Sequence, residues 1–253
     1  MINKLAQVTL AFWIMKICAT TLGETAGDLL SMTFKVGYGM SSLILISLFL
    51  GTLIIQLLSK EFSPIKYWAV ILATSTAGTT MSDFMDRSLG LGYAKGSLIL
   101  VFLLIIILFI WYRKEKSLSV TQINSRNGEL FYWTAILFSN TLGTALGDFL
   151  ADDSGLGFSG GAILIGSLLI LIVLAYFFTA VSRIFLFWTA FILTRPFGAT
   201  FGDLLMKPYE KGGFNFGTIG SSVFLFTILL VLVIIATIRN KALKKSNDQN
   251  SLT

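Results

Sequence analysis

The stretch 13–28, WIMKICATTLGETAGD, recurs three times along the chain: WAVILATSTAGTTMSD at 68–83, WTAILFSNTLGTALGD at 133–148 and WTAFILTRPFGATFGD at 188–203. Each copy opens on a tryptophan, carries Gly23, Gly78, Gly143 or Gly198 ten residues on, and ends fifteen residues on at Asp28, Asp83, Asp148 or Asp203. The residue before each aspartate is Gly27, Ser82, Gly147 or Gly202. The chain holds five tryptophans in all, so four-way agreement at fixed offsets marks a tandem repeat rather than coincidence. Twenty-four residues after each tryptophan stand Gly37, Gly92, Gly157 and Gly212, each followed by a plainer apolar run. One unit therefore reads as a polar, small-residue-rich helix ending at an aspartate, a glycine turn, and an apolar helix.

Composition says what surrounds these helices. Of the 253 residues 55% are hydrophobic and 13% charged, and the mean hydropathy is +0.82, which excludes an ordinary soluble domain. Runs such as 98–111, 163–178 and 223–238 cross most or all of a hydrocarbon core about 30 Å thick once their flanks are added. The predicted fold is all-α: a single polytopic transmembrane bundle of eight helices in four tandem two-helix repeats, near 5–58, 65–112, 129–181 and 184–239, with a tail at 240–253. Two spans per unit give every copy the same orientation, so the copies are predicted to be related by an axis along the membrane normal. Residues 1–31 lack a cleavage pattern and repeat later in the chain, so they read as the first span and not a removable signal. The single cysteine, Cys18, excludes a disulfide framework.

The net charge of +6 speaks to topology, with no nucleic acid implied. Lys4, Lys60, Lys66, Arg113, Lys114, Lys116, Arg126, Arg183, Arg239, Lys241, Lys244 and Lys245 lie before, between or after the units, against Lys35, Arg87, Lys95, Lys207 and Lys211 within their turns. The positive-inside rule then puts both termini in the cytoplasm, with membrane lipids around a multi-pass chain for which a homo-oligomer is compatible. Each aspartate lies about 22 Å beyond its tryptophan along the helix, in the outer half of the membrane.

The odd helices carry the chemistry. Gly23 and Gly27, Gly78 and Ser82, Gly143 and Gly147, and Gly198 and Gly202 are small residues four apart, the spacing that lets helix backbones approach in lipid. A buried carboxylate is costly there, so four aspartates at equivalent positions imply a shared polar cavity holding cations or protons, weighed against a plain role as helix-end caps. Glu24 stands four residues before Asp28, where the other units have Thr79, Thr144 and Ala199. Thr20, Thr21, Ser75, Thr76, Asn140 and Thr141 add neutral oxygens two turns earlier, while Asp86, Asp152 and Asp153 are expected at a solvated mouth. Carboxylates with hydroxyl and amide oxygens, and no histidine in the chain, suit hard cations such as Mn²⁺, Ca²⁺, Mg²⁺, Na⁺ or H⁺ and disfavour zinc and copper. The metal-binding candidates are Glu24, Asp28, Asp83, Asp148 and Asp203, and the wider cation or proton set adds Thr79, Thr144 and Asn140. Lys16 and Arg195 lie inside spans as gating groups or counter-charges; the nearest carboxylate to Lys16 is expected from across the bundle or reached through water, and Pro196 is expected to kink the seventh helix.

The Trp, Gly and Gly-Asp pattern, as in 24–28 and 143–148, resembles a bacterial family of four-repeat membrane-anchored proteins of uncharacterised activity over nearly the whole chain, which implies a bacterial inner-membrane location. A weaker similarity is to Mn²⁺/Ca²⁺ exchangers with Glu-x-Gly-Asp motifs; here one extra residue separates Glu24 from Gly27-Asp28, and Leu29 and Leu30 follow where a basic residue and threonine stand in those exchangers. The function expected is secondary transport of a hard divalent cation, Mn²⁺ first, coupled to protons, with no resident cofactor. The alternative is a membrane scaffold or assembly factor whose Gly-Asp motifs only pack and cap helices. No nucleophile with a base and no cofactor motif points to an enzyme.

Overall fold

The computed structural model describes residues 4–123 and 125–250, and among these it holds eight long helices and no strand. They are α1 (Leu10–Asp28), α2 (Tyr38–Leu58), α3 (Pro64–Asp83), α4 (Tyr93–Glu115), α5 (Arg126–Asp148), α6 (Gly157–Phe178), α7 (Arg183–Met206) and α8 (Gly217–Asn250). Local sequence sets their starts. Thr9 accepts a hydrogen bond from the Phe12 amide, Ser125 from the Gly128 amide and Ser182 from the Phe185 amide, while Pro64 begins α3 where its missing N–H costs nothing. The tail read from the sequence at 240–253 continues α8 to Asn250, and 251–253 lie outside the described residues.

The odd helices close a ring in chain order: α1 packs on α3, α3 on α5, α5 on α7, and α7 on α1. The even helices stand outside, α2 against α3, α4 against α5, α6 against α7, and α8 back against α1. Each apolar helix therefore covers the polar helix of the following repeat, and the last covers the first. This explains the contrast in composition. Among the described residues α2, α4, α6, α7 and α8 are long and apolar enough to cross a membrane, whereas α1, α3 and α5 fall short on apolarity although they have 19, 20 and 23 residues. Those three are shielded by neighbours, so most of their threonines, serines and charges face protein, Thr134 and Arg126 of α5 being exposed.

Glycine brings the ring helices together. A Cβ on Gly23 would come within 3 Å of Ser75, one on Gly78 within 3 Å of Asn140, one on Gly143 within 3 Å of Arg195, and one on Gly198 within 3 Å of Thr20. Each glycine thus seats the next helix's residue seven positions after its tryptophan, and the fourth returns to the first. Gly27, Gly147 and Gly202 repeat the pattern one turn later against Thr79, Ala199 and Glu24, at 2.7–3.0 Å.

Two local features differ from the sequence reading. After α1, α3 and α5 the helix widens into a five-residue π turn, Leu29–Thr33, Phe84–Ser88 and Phe149–Asp153, closed by Phe34 N–H to Leu29 O, Leu89 N–H to Phe84 O and Ser154 N–H to Phe149 O, each 2.9 Å. The fourth repeat has none. There Lys207 precedes Pro208, which forces it into extended backbone (ψ 151°) and ends α7. The glycine that opens α8 is accordingly Gly217 (φ +68°) in place of the expected Gly212, which closes the single turn Tyr209–Lys211 instead. Gly37, Gly92 and Gly157 open the other even helices at φ +66° to +81°, a conformation closed to most side chains. The helix α7 runs on through Pro196 without a break.

Candidate functional site

Side chains at four-residue steps along the odd helices form layers about 6 Å apart on the ring interior. From the tryptophan end these are Phe12, Tyr67, Tyr132 and Phe187; Lys16, Ile71, Ile136 and Phe191; Thr20, Ser75, Asn140 and Arg195; Glu24, Thr79, Thr144 and Ala199; and the four aspartates. The first layer is an aromatic floor in which the Tyr67 and Tyr132 hydroxyls share a hydrogen bond of 2.5 Å. Tyr67 and Tyr132 are each flanked by a tryptophan edge, and Trp188 donates to Leu118 O at 3.0 Å. Below this floor Lys4 pairs with the buried Glu129 at 2.6 Å, and Gln56 Nε2 donates to the same carboxylate.

Polarity rises toward the aspartate end. Lys16 is fully buried (0% exposed); its ammonium donates to Asn140 Oδ1 at 3.4 Å and lies 4.0 Å from the centre of the Phe191 ring. Asn140 is held in that orientation because its Nδ2 donates to Thr74 Oγ1 and Ser75 Oγ at 3.1 and 3.4 Å. Arg195, also 0% exposed, reaches across the ring. Its Nη2 lies 3.0 Å from Glu24 Oε2 and donates to Thr79 Oγ1, Thr144 Oγ1 and Ser75 O, while Nη1 donates to Thr20 O at 3.3 Å. One guanidinium from α7 is therefore tied to α1, α3 and α5 together. The two threonine hydroxyls each also donate to Glu24 Oε2 at 3.4 Å.

In the outermost layer two cations each bridge two repeats. Arg87 Nε lies 3.0 Å from Asp83 Oδ1 and its Nη2 3.1 Å from Asp148 Oδ2. Lys207 Nζ lies 3.1 Å from Asp203 Oδ1 and 3.6 Å from Asp28 Oδ2. The carboxylates are buried, but the Arg87 and Lys207 side chains keep 31% and 20% of their surface exposed. Burial by itself would lower the Lys207 pKa; Asp203 and then Asp28 outweigh it and hold this ammonium above the usual lysine value. Arg87 is further held by the Tyr38 hydroxyl at 3.2 Å and by the Tyr38 and Tyr93 rings at 5.8 and 5.6 Å. Across this layer and the next one inward, Glu24, Asp28 and Asp203 can each offer an oxygen within 4.8 Å of the others.

A family model matches the chain four times, over residues 11–62, 66–117, 131–182 and 186–242. The chain belongs to the family described as Repeat of Unknown Function (DUF347). No curated protein and no solved structure matches it, so the similarity to Mn²⁺/Ca²⁺ exchangers finds no support in these comparisons. The four matched segments agree with the four-repeat family that the Trp and Gly-Asp pattern resembles.

The four expected aspartates do meet in one layer, and Glu24, Thr79 and Thr144 meet in the next. Asn140 lies one layer further in, engaged with Lys16. Arg195, one of the two cations expected inside the spans, pairs with Glu24 on α1. Two expectations need correction. Lys16 has no carboxylate within ion-pair distance among the described residues; the group supplied from across the bundle is a carboxamide. Asp86 is buried: it accepts a hydrogen bond from Ser82 Oγ at 3.1 Å and packs against Gly96 of α4, where the absent Cβ leaves room for the carboxyl. Asp152 and Asp153 are exposed as expected. Arg87 and Lys207 were missed as partners of the aspartates, although each stands four residues after one, a spacing that places two side chains on the same helix face.

Proposed function

We propose that this chain is a secondary transporter of a hard divalent cation, Mn²⁺ foremost, exchanged against protons across a bacterial inner membrane with both termini in the cytoplasm. The observation that carries the reading is the buried trio Glu24, Asp28 and Asp203, whose oxygens lie within 4.8 Å of one another. Oxygens around one ion at Mn²⁺ or Ca²⁺ bond lengths stand about 3–4.5 Å apart, so small rotations would close this set on a cation. All donors are oxygens, which suits Mn²⁺, Mg²⁺ or Ca²⁺ and does not suit soft metals. Lys207 now holds two of the three and keeps a path to solvent, so an incoming cation has a tethered competitor to displace.

Purified protein should bind Mn²⁺ saturably in a calorimetric titration, and Glu24→Gln, Asp28→Asn and Asp203→Asn should each weaken binding at least about tenfold, the worth of one lost charged ligand. Wild-type affinity in all three would remove the site. A specific observation favours the scaffold reading instead: every carboxylate of the two outer layers already has a cation within 3.6 Å, as internal fasteners would. On that reading the wild type binds no divalent cation, and the same three variants lose thermal stability alone.

A further inference from the structure

Lys16 is the fully buried cation that the proposed site leaves out. Its acceptor is the neutral Asn140, and the aromatic floor separates it from the tryptophan end. The titratable or charged groups that neighbouring elements turn inward near it are Tyr67 on α3, Tyr132 on α5 and Arg195 on α7, with Glu24 two layers on along α1 itself and Cys18 turned to Leu225 of α8. The described charged side chains of α8, Arg239, Lys241 and Lys245, are exposed beyond its apolar stretch. In the structure Arg195 is balanced by Glu24, and the Lys16 ammonium has Asn140 and the Phe191 ring to itself.

A cation bound by Glu24 changes that balance. The carboxylate that compensated Arg195 is now shared with a divalent ion, and the guanidinium cannot deprotonate at any physiological pH. Arg195 and Lys16 then stand as two under-compensated cations in adjacent layers about 6 Å apart. Only the lysine can relieve the repulsion. Glu24 lies about 12 Å from Lys16 along the helix, and at an effective dielectric constant of about 20 a double charge there shifts the ammonium–amine equilibrium about 100-fold toward the amine. Charge counting agrees. The ring layers from Lys16 outward hold five carboxylates, Glu24, Asp28, Asp83, Asp148 and Asp203, against Lys16, Arg87, Arg195 and Lys207; the buried Asp86 lies outside these layers, against Ser82 and Gly96. With all of them ionised the net charge is −1; a divalent ion makes it +1, and the loss of one proton restores zero.

We propose that Lys16 is the coupling-proton carrier: as a divalent cation seats on Glu24, Asp28 and Asp203, one N–H bond of the Lys16 ammonium breaks, the electron pair stays on Nζ, and the proton passes to water. This rests on the transport reading above and names its counter-ion site. The Asn140 carboxamide accepts from the ammonium without pinning it as a carboxylate would, and its Nδ2 is already committed to Thr74 and Ser75.

Calorimetric titration of the full chain with Mn²⁺, in two buffers of different ionisation enthalpy, counts the protons released per ion bound. Lys16→Met should release about one proton fewer than the wild type and bind Mn²⁺ more tightly. Asn140→Asp keeps the lysine and gives it a carboxylate, so it should also hold back about one proton, and it serves if Lys16→Met does not assemble. Equal proton release from the wild type and either variant that binds Mn²⁺ overturns the assignment of Lys16 while leaving transport standing. A wild type that binds no divalent cation overturns the transport reading, and this inference with it.

Discussion

Replacing Arg195 with methionine tests the centre of the ring directly. The side chain keeps its approximate length but removes the cation that Glu24 Oε2 meets at 3.0 Å and the donor to Thr79 and Thr144. At an effective dielectric constant of about 20, unit charges 3.0 Å apart attract by about 5–6 kcal/mol. Desolvation of both groups offsets much of that in the intact pair, but a variant lacking one partner keeps the buried charge of the other, and such losses run to about 3–5 kcal/mol. For a chain of this size that is about 6–20 °C in the thermal midpoint. Glu24→Met should cost a similar amount for the mirror-image reason. The double variant Glu24→Met/Arg195→Met buries no uncompensated charge, and should melt no lower than the better of the two single variants. Midpoints for the wild type, both singles and the double, in one detergent, complete the cycle. Additive losses would refute the claim that this pair acts as a unit, as would an Arg195→Met midpoint no lower than that of Thr144→Ala, which loses one hydroxyl and about 1 kcal/mol.

The remaining predictions concern the packing and the outer layer. Gly143→Ala puts a methyl within 3 Å of Arg195 Cβ and Cγ and should cost about 1–3 kcal/mol, whereas Gly51→Ala on α2, with nothing within 4 Å, should be neutral or stabilise by about 0.5–1 kcal/mol; equal midpoints would dismiss the close helix approach. Lys207→Met removes the ammonium that holds Asp28 and Asp203 and should tighten Mn²⁺ binding about 10–100-fold in the same titration, while Arg87→Met, which frees Asp83 and Asp148, should change it little. If both variants tighten binding equally, the cation is shared by all four aspartates and not drawn to one side.

Much of this was legible in the sequence because the repeat is written in scarce residues. Tryptophan, glycine and aspartate at fixed offsets define the polar helix, and the apolar run after it defines its cover. What periodicity within one helix cannot show is which helix lies across the ring. Glu24 and Arg195 are 171 residues apart, and only closure of α7 onto α1 brings them together. The same alignment did hold an unread signal: Arg195 occupies the repeat position of Thr20, Ser75 and Asn140, and Lys16 that of Ile71, Ile136 and Phe191. A charge at a position otherwise neutral in every copy points into the shared interior. The register error at Gly212 has a different origin, since Pro208 alters the turn in one copy alone and a fixed offset carries no information about it.

The charges also break the four-fold pattern in an ordered way. Four equivalent aspartates facing one another cannot all remain ionised without cations, and the chain supplies these from the second and fourth repeats only. Arg87 joins the aspartates of repeats two and three, and Lys207 joins those of repeats four and one. The outer layer is thereby two bridged pairs, with no side-chain cation bridging Asp28 to its neighbour Asp83 or Asp148 to its neighbour Asp203 among the described residues. One layer inward the division disappears, because Arg195 bonds to α1, α3 and α5 from α7. Separation of the two pairs at the aspartate end would leave every outer salt bridge intact and would place its strain on the guanidinium beneath and on the Thr79 and Thr144 hydrogen bonds to Glu24. Glu24 sits where those two arrangements meet, bonded to the hub and within reach of Asp28 and Asp203. On the transport reading, a cation bound at Glu24 would therefore act on the fastening of all four helices at once, which one bound at an aspartate of the outer layer, tied only to its own bridging partner, would not.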